Sequence, residues 1–293
     1  MNDHLIQIEN VSRSFGKNKV LSNLNLSVKE GSIYGFLGRN GSEKTTAIRM
    51  LAGLITPDEG SVRILGHDPF LAGAEERQWI GYMSEKGIIP QNVSVRRVLQ
   101  LGKDLYPRWD GTLAESLMGK YSLPPKSKIR MLSQGRQRLL AFIMAIASRP
   151  KVLLLDEPAA NLDVVARREI LDEVLELIRD FGSTILFSTH ILSDVERVAD
   201  QIGTLAGGSL RVNEPLDSLK DSMRQVRFYG FPKEIPNDAM PDNFRTVLGK
   251  DELLVTMRVT GAVPPEELAR CWACQYETRS LSLEDIFVEL SLD

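Results

Sequence analysis

The stretch that decides the fold is Gly38-Arg39-Asn40-Gly41-Ser42-Glu43-Lys44-Thr45, which joins an apolar segment to a segment with helical spacing. The residues before it, GSIYGFL at 31–37, are typical of a short buried strand, and residues 45–54 have the apolar period of a helix. A loop that leads from a strand into a helix binds phosphate through backbone N–H groups. The stretch matches the pattern G-x-x-x-x-G-K-[ST], but Glu43 stands where the pattern has its second glycine. Alone, it is compatible with a nucleotide site or with an ordinary turn.

A second segment, VLLLDE at 152–157, is typical of a buried parallel strand that ends in two carboxylates. Ligands of open α/β sheets bind at this end of the strands. Asp156 is suited to the shell of a Mg²⁺ ion, and Glu157 is placed to polarise an attacking water. A strand that ends in a solvated acidic turn has the same pattern, so the loop upstream is what favours the nucleotide interpretation.

Strands and helices alternate along most of the chain, which predicts an α/β core. Strand signals thin out after about residue 75, and helical patterns at 93–105, 113–121 and 134–148 predict an inserted helical subdomain. The pattern changes again near residue 219, where short strands alternate with Pro- and Asp-rich joins. We therefore predict a main domain at 1–219, with its helical subdomain at about 85–148, and a small α+β domain at 220–293.

Five further motifs, in the order expected, complete a resemblance to the ATP-binding subunit of ABC transporters over about residues 4–215. Leu132-Ser133-Gln134-Gly135-Arg136 resembles the family's signature L-S-G-G-Q, and Ser133 stands 23 positions before Asp156. The other matching residues are the D-loop at Asn161-Leu162-Asp163, the switch histidine His190, the adenine-stacking aromatic Phe15, and Glu85 in place of the Q-loop glutamine. Glu43, Gln134, Arg136 and Glu85 depart from the family's pattern.

The resemblance implies the P-loop NTPase fold of ABC ATPases, with ATP and Mg²⁺ as cofactors. It implies that Glu157 and His190 are catalytic and that Thr45, Glu85 and Asp156 hold the metal. The nucleotide-binding residues that it implies are Phe15, Gly38, Arg39, Asn40, Gly41, Ser42, Glu43, Lys44, Thr45, Thr46, Ser133, Gly135 and Asp163. Because the signature serine of one copy reaches the γ-phosphate held by the other, the resemblance also implies a head-to-tail dimer, with itself or a homologous subunit.

The bulk composition bears on the partners. The formal charge of −3 disfavours a broad nucleic-acid surface, so no nucleic acid is expected. The longest apolar run, 139–147, has nine residues, whereas a bilayer span needs about 20. A separate transmembrane permease is therefore expected, with this chain in the cytoplasm on the inner face of the membrane. Cys271 and Cys274 have a C-x-x-C spacing but no histidine nearby in sequence, which favours two reduced thiols.

Alternatives remain at this stage. The ending Ser282-Leu283-Glu284-Asp285-Ile286-Phe287 and the segment at 106–110 resemble ATPases of bacterial drug, antibiotic and lipid exporters, although an importer is also compatible. Glu43 leaves open a regulatory subunit with impaired hydrolysis. A soluble ABC ATPase of DNA repair or translation is disfavoured, because the chain has one cassette and no long coiled coil.

Overall fold

The chain divides into two units, residues 1–213 and 214–293, so that the first unit ends ahead of the predicted boundary at 219. A computed structural model describes residues 3–38, 43–85, 89–231, 245–248, 252–259 and 263–290. None of the helices in these ranges is both long and apolar enough to cross a membrane.

The first unit mixes strands and helices in alternation. In chain order its elements are β1 (His4–Phe15), β2 (Asn18–Lys29), β3 (Ile33–Leu37), α1 (Lys44–Leu51), β4 (Glu59–Ile64), α2 (Ala74–Arg77), β5 (Ile80–Met83), α3 (Val95–Leu105), α4 (Gly111–Lys120), α5 (Gln134–Ala147), β6 (Val152–Asp156), α6 (Val164–Phe181), β7 (Thr184–Thr189), α7 (Leu192–Val198), β8 (Gln201–Ala206) and β9 (Ser209–Pro215). The last strand crosses into the second unit.

A six-stranded sheet, with the order β5-β6-β7-β3-β8-β9, forms the centre of this unit. Strands β5, β6, β7, β3 and β8 pair in parallel, and every residue of β3, β6 and β7 is buried, as their continuous apolar sequences predict. The register pairs Asp156 with Ser188 and Leu37 with Thr189, which brings the carboxyl ends of these three strands to one edge. The predicted ligand-binding edge therefore exists and adjoins α1.

A separate antiparallel sheet, with the order β2-β1-β4, packs its apolar side chains into the same core as β3 and α1. Alternation of buried and exposed residues along β1 and β2 reflects a sheet with one covered face. Phe15 is the last residue of β1 and is 49% exposed.

The stretch predicted to be helical from about residue 75 first contains a strand. Four-residue β5 pairs in parallel with β6, so the chain stays in the central sheet as far as Met83. A strand this short has too few residues to show a period, and only its pairing with β6 defines it. Helices α3, α4 and α5 then follow, and α3 and α5 begin within a residue or two of the predicted starts.

The second unit is a four-stranded antiparallel sheet with helices. Its further elements are α8 (Leu216–Ser222), β10 (Met223–Tyr229), β11 (Arg245–Leu248), β12 (Glu252–Arg258), α9 (Pro265–Cys271), β13 (Gln275–Ser280) and α10 (Leu283–Leu290), with the strand order β11-β12-β10-β13. Phe228 and Trp272 pack edge to face in its core, with ring centroids 4.9 Å apart. Ser282 Oγ accepts from the backbone N–H of Asp285 at 3.1 Å, as its predicted role of N-cap requires.

Cys271 and Cys274 are both free thiols, at and just beyond the carboxyl end of α9. Burial raises the pKa of the Cys274 thiol. The negative end of a helix also disfavours a thiolate, so the pair lacks the electropositive setting of reactive cysteines.

Candidate functional site

The lysine of the phosphate-type loop and the second carboxylate of the acidic segment meet at the edge of the central sheet. Lys44 is the first residue of α1 and is buried, and its Nζ donates to the carbonyl oxygen of Gly38 at 2.7 Å. The same Nζ lies 3.4 Å from Glu157 Oε1, and both side chains are at most 10% exposed. A buried cation at the N-terminus of a helix is suited to bind an anionic ligand.

Asp156 is buried at the end of β6 and lies between two hydroxyl groups. Thr45 Oγ1 donates to Asp156 Oδ1 at 3.1 Å, and Ser188 Oγ donates to the same oxygen at 2.7 Å. Asp156 Oδ2 is buried and has no hydrogen-bond partner among the described residues. A buried carboxylate oxygen is seldom left without a partner, and hard divalent cations prefer oxygen ligands. The residues therefore fit a Mg²⁺ ion held by Thr45 and Asp156.

Glu157 lies beside His190, and the two side chains belong to the ends of neighbouring strands. His190 Nδ1 is 2.9 Å from Glu157 Oε2, and the His190 side chain is 43% exposed. The backbone of Glu157 is in the left-handed region, with φ 52°, and its N–H donates to Ser188 Oγ at 3.0 Å. Glu157 thus has Lys44 on one carboxylate oxygen and His190 on the other, at the mouth of the cluster.

Glu43 immediately precedes α1 and has φ 63° in the left-handed region. This conformation costs a residue with a Cβ about 1–2 kcal/mol, whereas glycine adopts it without that cost, which explains why the loop pattern has glycine here. The Glu43 side chain makes no capping hydrogen bond to the helix. Burial raises the pKa of the Glu43 carboxyl above 4.5, and the nearby Lys44 partly opposes this shift.

Comparison with known proteins identifies the family. The ABC transporter family profile matches residues 21–160. The ABC transporter ATP-binding protein YtrB of Bacillus subtilis (strain 168) is 31% identical over 223 residues, which cover 76% of each chain. The chain belongs to the ABC transporter ATP-binding family. It is an ATP-binding subunit of an ABC transporter, and its family hydrolyses ATP.

Two further similarities support this assignment. The bacitracin transport ATP-binding protein BcrA of Bacillus licheniformis is 32% identical over 223 residues, covering 75% of this chain and 73% of that protein. A solved structure described as dimeric, of a bacterial ABC transporter cassette, has a TM-score of 0.65 and 25% identity, covering 72% of this chain and 98% of the cassette. The α/β P-loop fold predicted from the sequence is confirmed.

Other residues that the resemblance assigns to the nucleotide lie away from Lys44 in this ABC subunit. Ser133 is the N-cap of α5 and accepts from the N–H of Arg136 at 3.3 Å. Ser133, Gly135 and Asp163 line an open groove of about 780 Å³ between α5 and the start of α6. Asp163 caps α6, because its Oδ1 accepts from the N–H groups of two residues in the first turn, each at 2.9 Å.

The remaining predicted residues lie in several different parts of the first unit. The Phe15 ring carries the Arg13 guanidinium 5.0 Å from its centre and is open to solvent on the antiparallel sheet. Thr46 lies in the first turn of α1, where its N–H donates to the Glu43 carbonyl at 2.9 Å. Glu85 is exposed and lines a different cleft, of about 310 Å³, rather than the Asp156 cluster. Arg39, Asn40, Gly41 and Ser42 lie outside the described residues.

Two residues of the site were missed by sequence reasoning. Ser188 connects Asp156 to the Glu157 backbone, and the signal was present, because a polar residue ends the strand β7 that is adjacent to β6. Arg138, on α5, donates to the carbonyl oxygens of Glu157 and Pro158. Its position follows no motif, so only the packing of α5 reveals it.

Proposed function

We propose that this ABC subunit binds and hydrolyses Mg²⁺-ATP and transmits the resulting dimerisation to a separate membrane-spanning permease, in an exporter. The observation that carries the proposal is the cluster of Lys44, Thr45, Asp156, Glu157 and His190 at one edge of the parallel sheet. This set contains the cation, the metal ligands and the base that phosphoryl transfer to water requires.

Lys44 holds the β- and γ-phosphate oxygens, in an environment where its charge is little screened. Thr45 and Asp156 would hold Mg²⁺, and Asp156 Oδ2, which has no hydrogen-bond partner among the described residues, would be available to it. A Mg²⁺ ion bound there supplies positive charge that offsets the charge of the phosphates. Ser188 fixes the Asp156 carboxylate, so that the metal ligands are oriented before the substrate arrives.

Glu157 accepts a proton from, or orients, the attacking water, and His190 positions the Glu157 carboxylate and contacts the γ-phosphate. Lys44 Nζ lies 3.4 Å from Glu157 Oε1. The same cation therefore serves both the phosphates and the carboxylate that faces the water.

The placement of Ser133 and Gly135 supports the proposed dimerisation. They line a groove that contains neither Lys44 nor Asp156, so one chain presents two half-sites that do not meet within it. A head-to-tail pair of copies, or of this chain and a homologous subunit, joins each Lys44 to a partner's α5 N-terminus. The dimeric description of the related cassette supports this arrangement. Peripheral attachment to the inner face of the membrane follows from the permease partner.

The direction of transport is proposed as export, because the relatives include proteins named for bacitracin transport and daunorubicin resistance. A second candidate is a regulatory subunit with impaired turnover, in a heterodimer whose partner supplies the working site. The left-handed Glu43 favours it, because its Cβ strains the loop and its charge opposes the phosphates.

Steady-state hydrolysis of Mg²⁺-ATP by the purified chain tests the proposal. We expect turnover in the unmodified chain, its loss in Glu157→Gln, and no change in the control Glu252→Gln, an exposed glutamate of the second unit. Turnover that survives Glu157→Gln would remove Glu157 from the mechanism. Absence of turnover in the unmodified chain, with recovery in Glu43→Gly, would favour the regulatory candidate.

A further inference from the structure

Arg138 lies on α5, one helical turn beyond Gly135, and its guanidinium points at the loop that follows β6. Its Nε donates to the Glu157 carbonyl oxygen at 3.1 Å, and its Nη2 donates to the same oxygen at 2.5 Å. The Nε also lies 3.3 Å from the Pro158 carbonyl oxygen. One side chain of α5 therefore holds the carbonyl oxygen of the proposed base and the carbonyl oxygen of the residue that follows it.

The loop at 157–163 needs such support, because its conformation is not maintained by a regular ladder of hydrogen bonds. Glu157 and Asn161 are both in the left-handed region, with φ 52° and 61°. Conformations of this kind persist only where surrounding contacts fix them. The Glu157 carbonyl also accepts from the N–H of Ala160 at 3.2 Å, so Arg138 binds the oxygen that closes the turn.

The helix α5 contacts this loop at a second point. A Cβ on Gly135 would lie 3.3 Å from Leu162 Cδ2 and 3.8 Å from the Asn161 carbonyl oxygen, so the α5 N-terminus packs closely on the loop. The groove residues Ser133 and Gly135 and the base Glu157 are thus connected through about one turn of a single helix. The Arg138 guanidinium can bind two carbonyl oxygens at once, because its N–H donors have a fixed, planar arrangement.

We propose that Arg138 is a positioning residue, which couples the placement of α5 to the orientation of the Glu157 carboxylate. This inference rests on the proposed hydrolysis of ATP. A movement of α5, when its N-terminus engages the nucleotide of the second copy, is passed through Arg138 to the Glu157 and Pro158 carbonyls. The Glu157 carboxylate shifts with its backbone, because the Glu157 Cα joins the carbonyl that Arg138 holds to the side chain that contacts Lys44 and His190.

The Arg138 guanidinium stays charged although it is partly buried. Burial lowers the pKa of Arg138, and the negative charges of Glu85, Glu157 and Asp156 oppose this shift. The charged form strengthens hydrogen bonds to the carbonyls. Arg138 also lines the cleft of about 310 Å³ with Glu85.

The experiment compares Arg138→Met, Arg138→Lys and the control Arg197→Met, which removes an exposed arginine paired with Asp172. We expect Arg138→Met to lower kcat by about 10- to 100-fold, with KM for ATP within about threefold, since misplacement of a catalytic group affects the chemical step. Arg138→Lys restores part of kcat because it keeps one charged donor. Arg197→Met leaves kcat unchanged.

Amide hydrogen exchange of the full chain without nucleotide provides a readout that does not depend on turnover. We expect faster exchange at residues 157–163 in Arg138→Met, no change within β6, and no change in Arg197→Met. Wild-type exchange at 157–163 in Arg138→Met, or an equal loss of protection throughout the first unit, would overturn the inference. If the unmodified chain has no turnover, the proposed function fails, and the exchange data alone decide the role of Arg138.

Discussion

We expect Glu43 to lower the affinity of the phosphate-type loop for nucleotide through its charge and through backbone strain. A carboxylate about 4 Å from a phosphate oxygen is repelled by roughly 4 kcal/mol at an effective dielectric constant of about 20. Glu43 is only partly buried, so rotation of its side chain into water reduces this penalty. The φ of 63° adds a cost that glycine avoids. Both effects predict weaker nucleotide binding in the unmodified chain.

We expect Glu43→Gln to bind ATP about 3- to 10-fold more tightly, because the charge is lost, and Glu43→Gly to bind it more tightly still, because the strain is lost as well. Titration calorimetry with Mg²⁺-ATP measures both variants. Glu30→Gln, at an exposed turn after β2, is a control for the loss of one negative charge. Equal affinity in all four proteins would show that Glu43 does not face the phosphates.

The pH dependence of binding follows from the raised pKa of the Glu43 carboxyl. Below this pKa the side chain is neutral and does not repel ATP, whereas above it the charge is present. The ratio of the Kd of the unmodified chain to that of Glu43→Gln should therefore fall as the pH decreases from about 8 to about 5. Titration of ATP itself cancels in this ratio. A ratio that is constant with pH would contradict the prediction.

The raised pKa of Glu43 also makes the stability of the fold depend on pH. The folded pKa of Glu43 is above its ordinary value, so its contribution to the free energy of unfolding is fully present below the unfolded pKa of 4.5 and is lost as pH rises through the folded pKa. Urea denaturation measures the free energy of unfolding of the unmodified chain and of Glu43→Gln. The unmodified chain should lose stability relative to Glu43→Gln as the pH rises from acid to neutral.

At the scale of the element, motif residues also cap the N-termini of helices. Asp163 belongs to a motif assigned to the nucleotide interface, yet its carboxylate accepts from two N–H groups in the first turn of α6. Asp163→Ala should lower the free energy of unfolding by about 1 kcal/mol, whereas Asp163→Asn should keep most of it because asparagine also caps helices. Urea denaturation measures both. If both variants were as stable as the unmodified chain, Asp163 would contribute to the interface alone.

The elements missed from the sequence share a physical cause. Strand β5 has four residues, too few to establish a period, and β13 is exposed along most of its length, so it lacks the alternation of a half-buried strand. Helix α9 has seven residues and starts at a proline, which reads as a loop in isolation. Their hydrogen-bonding partners and contacts lie elsewhere in the chain, and local pattern cannot supply them.

For the whole molecule, the two units have separate cores and are expected to unfold in separate transitions. Phe228→Ala should destabilise the second unit by about 3–5 kcal/mol and lower only its transition. Mg²⁺-ATP at about 100 times its Kd should stabilise only the first unit, by about 2.7 kcal/mol. Differential scanning calorimetry measures both effects. A single transition displaced by both changes would show one cooperative unit.

The sequence by itself determined the α/β class, the order of the motifs and the edge of the sheet where they meet. The short apolar run at 152–155 predicts a buried strand, and Asp156, which ends it, must then lie at the strand's carboxyl end. Only the tertiary structure decided which groups face these residues. Ser188 and Arg138 reach the acidic segment across 32 and 19 positions of sequence, and both donate to or accept from the backbone of Glu157, which is in the left-handed region. Packing over those distances depends on register and helix placement, which no local period encodes.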